Sequence, residues 1–259
     1  MIVSDLDLML IVPAFLAGAL VLSTHVPLGQ EVLKRGIIFI DIAIAQIAAL
    51  GVIAATVFDG ELATWQIQLF AGLSALVGAA VIHWLERHHA RSLEALIGLL
   101  FVLAASGGLL LASHAPHSGE LLHDLLVGQI LWVSYDQLLW VMALYIPLLI
   151  VWFTFNCKER PILFYLVFSL AVTASVQLVG IYLVFASLIL PALASRHIIN
   201  VKSRLFIAYM IGLGAYLLGL IASLIFDLPT GAITVWTLLL MVVITKPLLN
   251  RYKVETLIK

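Results

Sequence analysis

The chain has 259 residues, of which 64% are hydrophobic and only 10% charged, and its formal net charge is −1. Soluble domains are about 45–50% apolar and about 25% charged, so this composition excludes an ordinary soluble domain and predicts a multi-pass membrane protein. The near-neutral charge argues against nucleic acid as a partner. The single cysteine, Cys157, excludes a disulfide framework and a multi-cysteine metal site.

Long apolar runs follow one another along the whole chain. Most of them reach the roughly 20 helical residues that cross a bilayer core of about 30 Å. We therefore predict an all-α polytopic membrane protein, a single transmembrane domain over 1–259 with about eight or nine transmembrane helices, surrounded by membrane lipid. The runs are 8–28, 37–58, 63–85, 93–113, 137–155, 161–195, 205–226 and 232–249.

Charge in the connections predicts the orientation. By the positive-inside bias, the connections that carry Lys and Arg lie in the cytoplasm, and the acidic connections lie outside. The amino terminus is then expected outside and the carboxy terminus in the cytoplasm. The basic positions are Lys34, Arg35, Arg87, Arg91, Lys158, Arg160, Arg196, Lys202, Arg204, Arg251, Lys253 and Lys259; the acidic connections are centred on 59–61, 114–136 and Asp227.

The run 161–195 has basic residues at both ends, which a single crossing does not allow. We predict that the run goes out and returns, with a break near "SVQLVG", where Gln177 and Gly180 interrupt the aliphatic pattern. Broken helices of this kind are tolerated where they line a cavity enclosed by protein. Gln177, Gly180 and the later Pro191 are therefore candidates for a transport path.

Asp41 and Gln46 lie within the apolar run 37–58. A carboxylate at the centre of a membrane helix costs about 2.5–3.5 kcal/mol on insertion scales, so its presence suggests a role. His25, near the inner end of the first run, is expected to extend its polar tip to the membrane interface.

Five residues of one outer connection are possible metal ligands: His114, His117, Glu120, His123 and Asp124. Imidazole and carboxylate groups attract zinc or manganese, although a hydrated acidic loop accounts for the same composition.

The chain contains no P-loop, G-x-S-x-G, H-E-x-x-H or dinucleotide-binding motif, so it gives no sign of an enzyme.

Four segments resemble one family. They are the stretch from Pro27-Leu28-Gly29 to Gly51, "LLVGQILWVSYDQL", "VQLVGIYLVFASLILPALASR" and "GLIASLIFDLPTGAITVWTLLL". In order and spacing they are similar to the membrane permease subunits of zinc and manganese ABC importers. The last segment contains that family's outer turn, D-x-P-[ST]-G, at Asp227, Pro229, Thr230 and Gly231.

The resemblance implies an all-helical homodimer in the bacterial inner membrane. It would bind a separate ABC ATPase inside and receive metal from an extracytoplasmic metal-binding protein. Zinc or manganese would be cargo, and no permanently bound cofactor is expected.

Two departures from the family pattern affect these expectations. Aligned without gaps, the family's Asp and His four residues apart fall on Ile42 and Gln46, while the carboxylate appears as Asp41, about 140° around the helix from Gln46. Asp41 and Gln46 are path candidates, and a structural role for Asp41 stays open.

The family's cytoplasmic coupling stretch is also missing at "FNCKERPILFY". Two alternatives to an ABC permease remain. The chain is either an altered family member that works without the usual ATPase, as an ion-driven carrier or partner subunit, or a membrane scaffold that does not transport.

Overall fold

The computed structural model describes residues 5–59, 63–113, 128–155, 157 and 159–257. These residues form nine α-helices and two short 3-10 turns, and they contain no strand. The predicted all-α class is confirmed. The helices are α1 (Asp5–Arg35), α2 (Ile40–Asp59), α3 (Thr64–His89), α4 (Leu93–Ala112), α5 (Tyr135–Thr154), α6 (Pro161–Val179), α7 (Ile181–Ser195), α8 (Val201–Phe226) and α9 (Thr230–Leu257).

Six stretches of these residues are long and apolar enough to span a bilayer, judged by length and composition. One of them, Trp65–Ala112, consists of α3 and α4. Ile181–Ser195 and Thr230–Thr245 are shorter apolar helices. With α3 and α4 counted separately, the helices agree with the predicted eight or nine.

The run 161–195 is broken at Gly180, as predicted. Gly180 has φ 80° and ψ 160°, a conformation that is essentially restricted to glycine, and it separates the 19-residue α6 from the 15-residue α7. The backbone of Gly128 lies so close to Val179 and Gly180 that a Cβ at Gly128 would meet backbone atoms. The break is thus supported by the chain segment that precedes α5.

Helix α1 packs against α5, α6, α7 and α8. Its closest approach is to α7, because a Cβ at Gly29 would collide with the carbonyl oxygen of Leu188. Helix α2 packs against α3, α4, α6 and α7, so it joins α3 and α4 to two of the helices that contact α1.

The D-L-P-T-G segment is a tight turn between α8 and α9. Asp227 ends α8 in the left-handed conformation with φ 50°, and the backbone N–H of Leu228 donates to the carbonyl of Ser223. The hydroxyls of Ser223 and Thr230 lie 2.6 Å apart. Gly231 is buried at the start of α9, and Pro229 accepts a helical hydrogen bond from Ile233. The motif therefore fixes a helix connection.

Candidate translocation site

A cavity of about 530 Å³ lies among α2, α4, α7 and α9. Helix α2 contributes Ile42 and Gln46, which are four residues apart and therefore share one helix face. The other lining residues are Phe101, Ile181, Tyr182, Phe185, Ala186, Ile189, Leu190, Val235 and Leu239. The positions where the resemblance expects the metal ligands thus face a cavity, but its walls are almost entirely apolar.

Among the described residues of this lining, Gln46 is the only one with an amide side chain. The residue is 7% exposed, and its amide has no hydrogen-bond partner among the described residues. Although most of the residue is buried, neither its amide oxygen nor its amide nitrogen is a fully buried atom without a partner, so the amide is reached from the cavity. The side chain is therefore available to a molecule in the cavity.

Asp41 lies in a different place from the one the sequence suggested. Helix α2 begins at Ile40, so Asp41 is in its first turn rather than at the centre of a membrane helix. A carboxylate in the first turn is favoured by the helix dipole. Asp41 is 1% exposed, its Oδ1 has no hydrogen-bond partner, and the residue does not line the cavity.

The other path candidates are separate from the cavity. Gln177 is exposed and faces a smaller space of about 40 Å³ between α2, α3 and α6. Pro191 is buried inside α7, and its carbonyl accepts a hydrogen bond of 3.0 Å from the hydroxyl of Ser195. Gly180 forms the helix break. The structure therefore does not bring these three residues into one site with Gln46.

The sequence analysis expected His25 to reach the membrane interface, and that expectation is wrong. The residue is completely buried, and its Nε2 lies 3.1 Å from the hydroxyl of Ser175 on α6. Its Nδ1 lies 2.9 Å from the carbonyl of Val21 and 3.0 Å from the hydroxyl of Thr24. Ser175, a small polar residue inside an apolar helix, was the signal that pointed to such a partner.

A second polar cluster joins the basic ends of the helices. The guanidinium of Arg35 contacts Glu31 at 3.1 Å and Glu86 of α3 at 3.3 Å, and it lies 4.3 Å from the ring centroid of Phe164 on α6. Arg204 of α8 donates to Gln30 at 3.0 Å. These contacts join α1 to α3, α6 and α8 at the end where the basic residues gather.

The outer metal-attracting loop stays a prediction. His114, His117, Glu120, His123 and Asp124 lie outside the described residues. Within the described part of the chain, no group of three or more His, Cys, Asp or Glu side chains is placed to hold a metal ion.

The sequence pattern of the ABC 3 transport family matches residues 7–160 and 154–247. The chain belongs to the ABC 3 transport family. The resemblance to metal ABC permeases is thereby confirmed. The two matched ranges overlap at 154–160, the position at which the resemblance leads us to expect an extra cytoplasmic stretch.

Known proteins of this family are similar along most of their length. The manganese transport system membrane protein MntC of Halalkalibacterium halodurans is 27% identical over 228 residues, covering 79% of this chain and 75% of MntC. The structure of PsaBC from Streptococcus pneumoniae in complex with Fab has a TM-score of 0.72 at 22% identity, over 90% of this chain and 89% of that one.

A third comparison shows the same fold. An inward-facing conformation of a putative metal-chelate type ABC transporter has a TM-score of 0.66 at 18% identity, over 92% of this chain and 85% of that one. At these identities the two structures show the shared fold, and the family match shows that the chain is a multi-pass permease of an ABC transport system.

Proposed function

We propose that this protein is the membrane-spanning subunit of an ATP-driven importer for a divalent metal, zinc or manganese. The observation that carries the proposal is the family match, which extends from residue 7 to residue 247 and includes every helix that lines the cavity. The similarity to MntC, a manganese transport system membrane protein, supports metal as the cargo. The chain supplies the path and relies on another subunit for ATP hydrolysis.

The proposed assembly is a homodimer in a bacterial inner membrane, with the amino terminus outside and the carboxy terminus in the cytoplasm. The basic connections at 87–91 and 196–204 support this orientation through the positive-inside bias. An extracytoplasmic metal-binding protein delivers the ion to the acidic outer surface. An ABC ATPase binds the basic inner surface.

Coupling to the ATPase uses the inner connections that remain. The connection between α5 and α6 is short, since α5 ends at Thr154 and α6 begins at Pro161. The turn between α7 and α8 instead carries Ile199, which is 89% exposed, beside Arg196 and Lys202. We expect this turn and residues 86–92 to contact the ATPase.

A second candidate is a diverged member that works without the usual ATPase, and the short α5–α6 connection is the observation that favours it. Affinity purification of the full chain in mild detergent from its own host tests the two. We expect a P-loop ATPase to co-purify, and deletion of the gene to reduce accumulation of radioactive zinc or manganese by cells. A monodisperse preparation without any ATPase would overturn the proposal. If the cells then still take up metal through this protein, the result favours the diverged member that works without an ATPase.

A further inference from the structure

His83 lies near the end of α3, and its ring nitrogens are buried without partners. The side chain is 18% exposed, which gives protons a route to it from the surface. Both ring nitrogens are nevertheless buried atoms, and neither makes a hydrogen bond within the described part of the chain. A neutral imidazole carries one donor and one acceptor, and leaving both unpaired in the interior is unfavourable. The neutral form of His83 therefore fits its surroundings poorly.

A carboxylate faces this ring. Nδ1 of His83 is 3.6 Å from Oε2 of Glu86, about one turn further along α3, and the two form an ion pair only when the imidazole is protonated. The other oxygen of Glu86 accepts from the guanidinium of Arg35 on α1 at 3.3 Å. A proton on His83 turns an unpaired nitrogen into a charged donor beside a carboxylate, and charge-assisted hydrogen bonds are the stronger kind.

The charged groups of this cluster do not balance while His83 is neutral. Glu31 and Glu86 both contact Arg35, at 3.1 Å and 3.3 Å, so two carboxylates share one guanidinium. Glu31 is buried and Glu86 is partly buried, and an uncompensated negative charge in such a place is costly. Histidine is the side chain that changes its charge in the physiological pH range. Protonation of His83 therefore supplies the positive charge that the cluster lacks.

Glu86 is the charged group that lies closest to the ring. Among the described residues, no other acidic or basic side chain is within ion-pair distance of His83. Tyr165 of α6 packs against the ring with 5.6 Å between centroids, and its hydroxyl is also buried without a hydrogen-bond partner. The remaining charged or titratable groups at this end of α3 and of the elements packed on it are Arg87, His88 and His89 of α3, Asp41 of α2, Arg91 of the 3-10 turn Ala90–Ser92 and Glu94 of α4.

We propose that His83 and Glu86 form a proton-binding site at the junction of α1, α3 and α6. In the protonated state the imidazole pairs with Glu86, which keeps its contact with Arg35, so connected ion pairs join α3 to α1 beside Tyr165 of α6. In the neutral state the ring takes no part in these contacts, and the helices are held less tightly. The packing at this end strengthens as the pH falls and weakens as it rises. The site goes beyond the proposed function, because it depends on neither the cargo nor the ATPase.

Thermal unfolding of the full chain in lipid nanodiscs tests the proposal at about pH 5.5 and about pH 8, on either side of the range in which histidine changes charge. Tryptophan fluorescence reports the melting temperature. His83→Gln removes the titrating ring and keeps a polar side chain. We expect it to lower the melting temperature by about 2–4 °C at the lower pH, as for the loss of one charge-assisted hydrogen bond in a protein of this size. At the higher pH it should have no effect.

Two further variants make the test specific. His88→Gln is the matched control, because His88 is exposed on the same helix and its Nδ1 lies 2.8 Å from the carbonyl of Trp84 in that helix. Its effect should be equal at both pH values. In a Glu86→Gln background, His83→Gln should also act equally at both, because the carboxylate that binds the protonated ring is absent. If His83→Gln does not fold, Glu86→Gln alone decides, since it should cost more at the lower pH.

Three results would overturn the proposal. An equal loss of stability for His83→Gln at both pH values would show that the ring only fills space. An equal pH dependence for His88→Gln would assign the effect to the protein surface. A pH-dependent cost of His83→Gln that persists in the Glu86→Gln background would show that the protonated ring has another partner. None of these results concerns the ATPase or the metal, so failure of this site is distinguishable from failure of the proposed function.

Discussion

The imidazole Nε2 of His25 and the hydroxyl of Ser175 lie 3.1 Å apart, and this buried hydrogen bond joins α1 to α6. Both ring nitrogens of His25 are engaged, since Nδ1 lies 2.9 Å from the carbonyl of Val21. Ser175 also lies within hydrogen-bond distance of the carbonyl of Ala171, as a helical serine commonly does. The contact between the helices therefore depends on two side chains 150 positions apart.

Ser175→Ala is expected to destabilise the protein by about 0.6–2 kcal/mol, the range for side-chain hydrogen bonds between membrane helices. The change leaves Nε2 of a buried imidazole without its partner. Cys157 is the chain's single cysteine and is buried, so its reaction with a maleimide dye during heating measures unfolding. Ser106→Ala is the control, because the Ser106 hydroxyl is exposed and bonds within its own helix. Equal melting temperatures for the two variants would contradict the prediction.

Gly29→Ala is expected to be far more damaging than Gly98→Ala. A methyl group at Gly29 would overlap the carbonyl of Leu188, which cannot move without shifting the backbone of α7, whereas Gly98 has nothing within 4 Å of the same position. Both changes increase helix propensity by about 1 kcal/mol, so propensity cancels in the comparison. We expect low yield or a clear fall in melting temperature for Gly29→Ala and a neutral or higher melting temperature for Gly98→Ala. A Gly29→Ala protein that melts like the parent would show that α1 and α7 are farther apart.

The sequence predicted the helices well because apolar length alone identifies membrane spans, and it located the break because Gln177 and Gly180 interrupt an aliphatic run. It did not predict the partners of polar residues. His25 was assigned to the interface because its partner, Ser175, is distant in sequence and only packing brings the two together. Asp41 was placed too deep because Gly36 and three further residues separate α1 from α2, whereas the apolar pattern begins at residue 37.

Asp41→Asn tests whether the carboxylate contributes to transport. The substitution keeps the shape and replaces the carboxyl group by an amide in a side chain that is 1% exposed and whose Oδ1 has no hydrogen-bond partner. We expect cells to lose metal-dependent growth and accumulation of radioactive metal, while the protein still reaches the membrane. Asp227→Asn is the matched control, since Asp227 is exposed and asparagine also tolerates its left-handed conformation. Unchanged uptake by Asp41→Asn would assign Asp41 a structural role.

Ile199→Ser is expected to weaken the contact with the ATPase several-fold without lowering the melting temperature. Ile199 is 89% exposed on the turn between α7 and α8, so its removal leaves no cavity in the protein, while truncation of a hot-spot residue in an interface costs more than about 1 kcal/mol of binding free energy. The amount of ATPase that co-purifies with each variant measures the effect.

Ile162→Ser provides the comparison for this test, because Ile162 is also exposed and lies at the start of α6, directly after the short connection from α5. If the turn between α7 and α8 carries the contact, only Ile199→Ser releases the ATPase. If Ile162→Ser releases it and Ile199→Ser does not, the short connection before α6 carries the contact despite its length. The pair therefore decides which inner connection transmits ATP hydrolysis to the helices around the cavity.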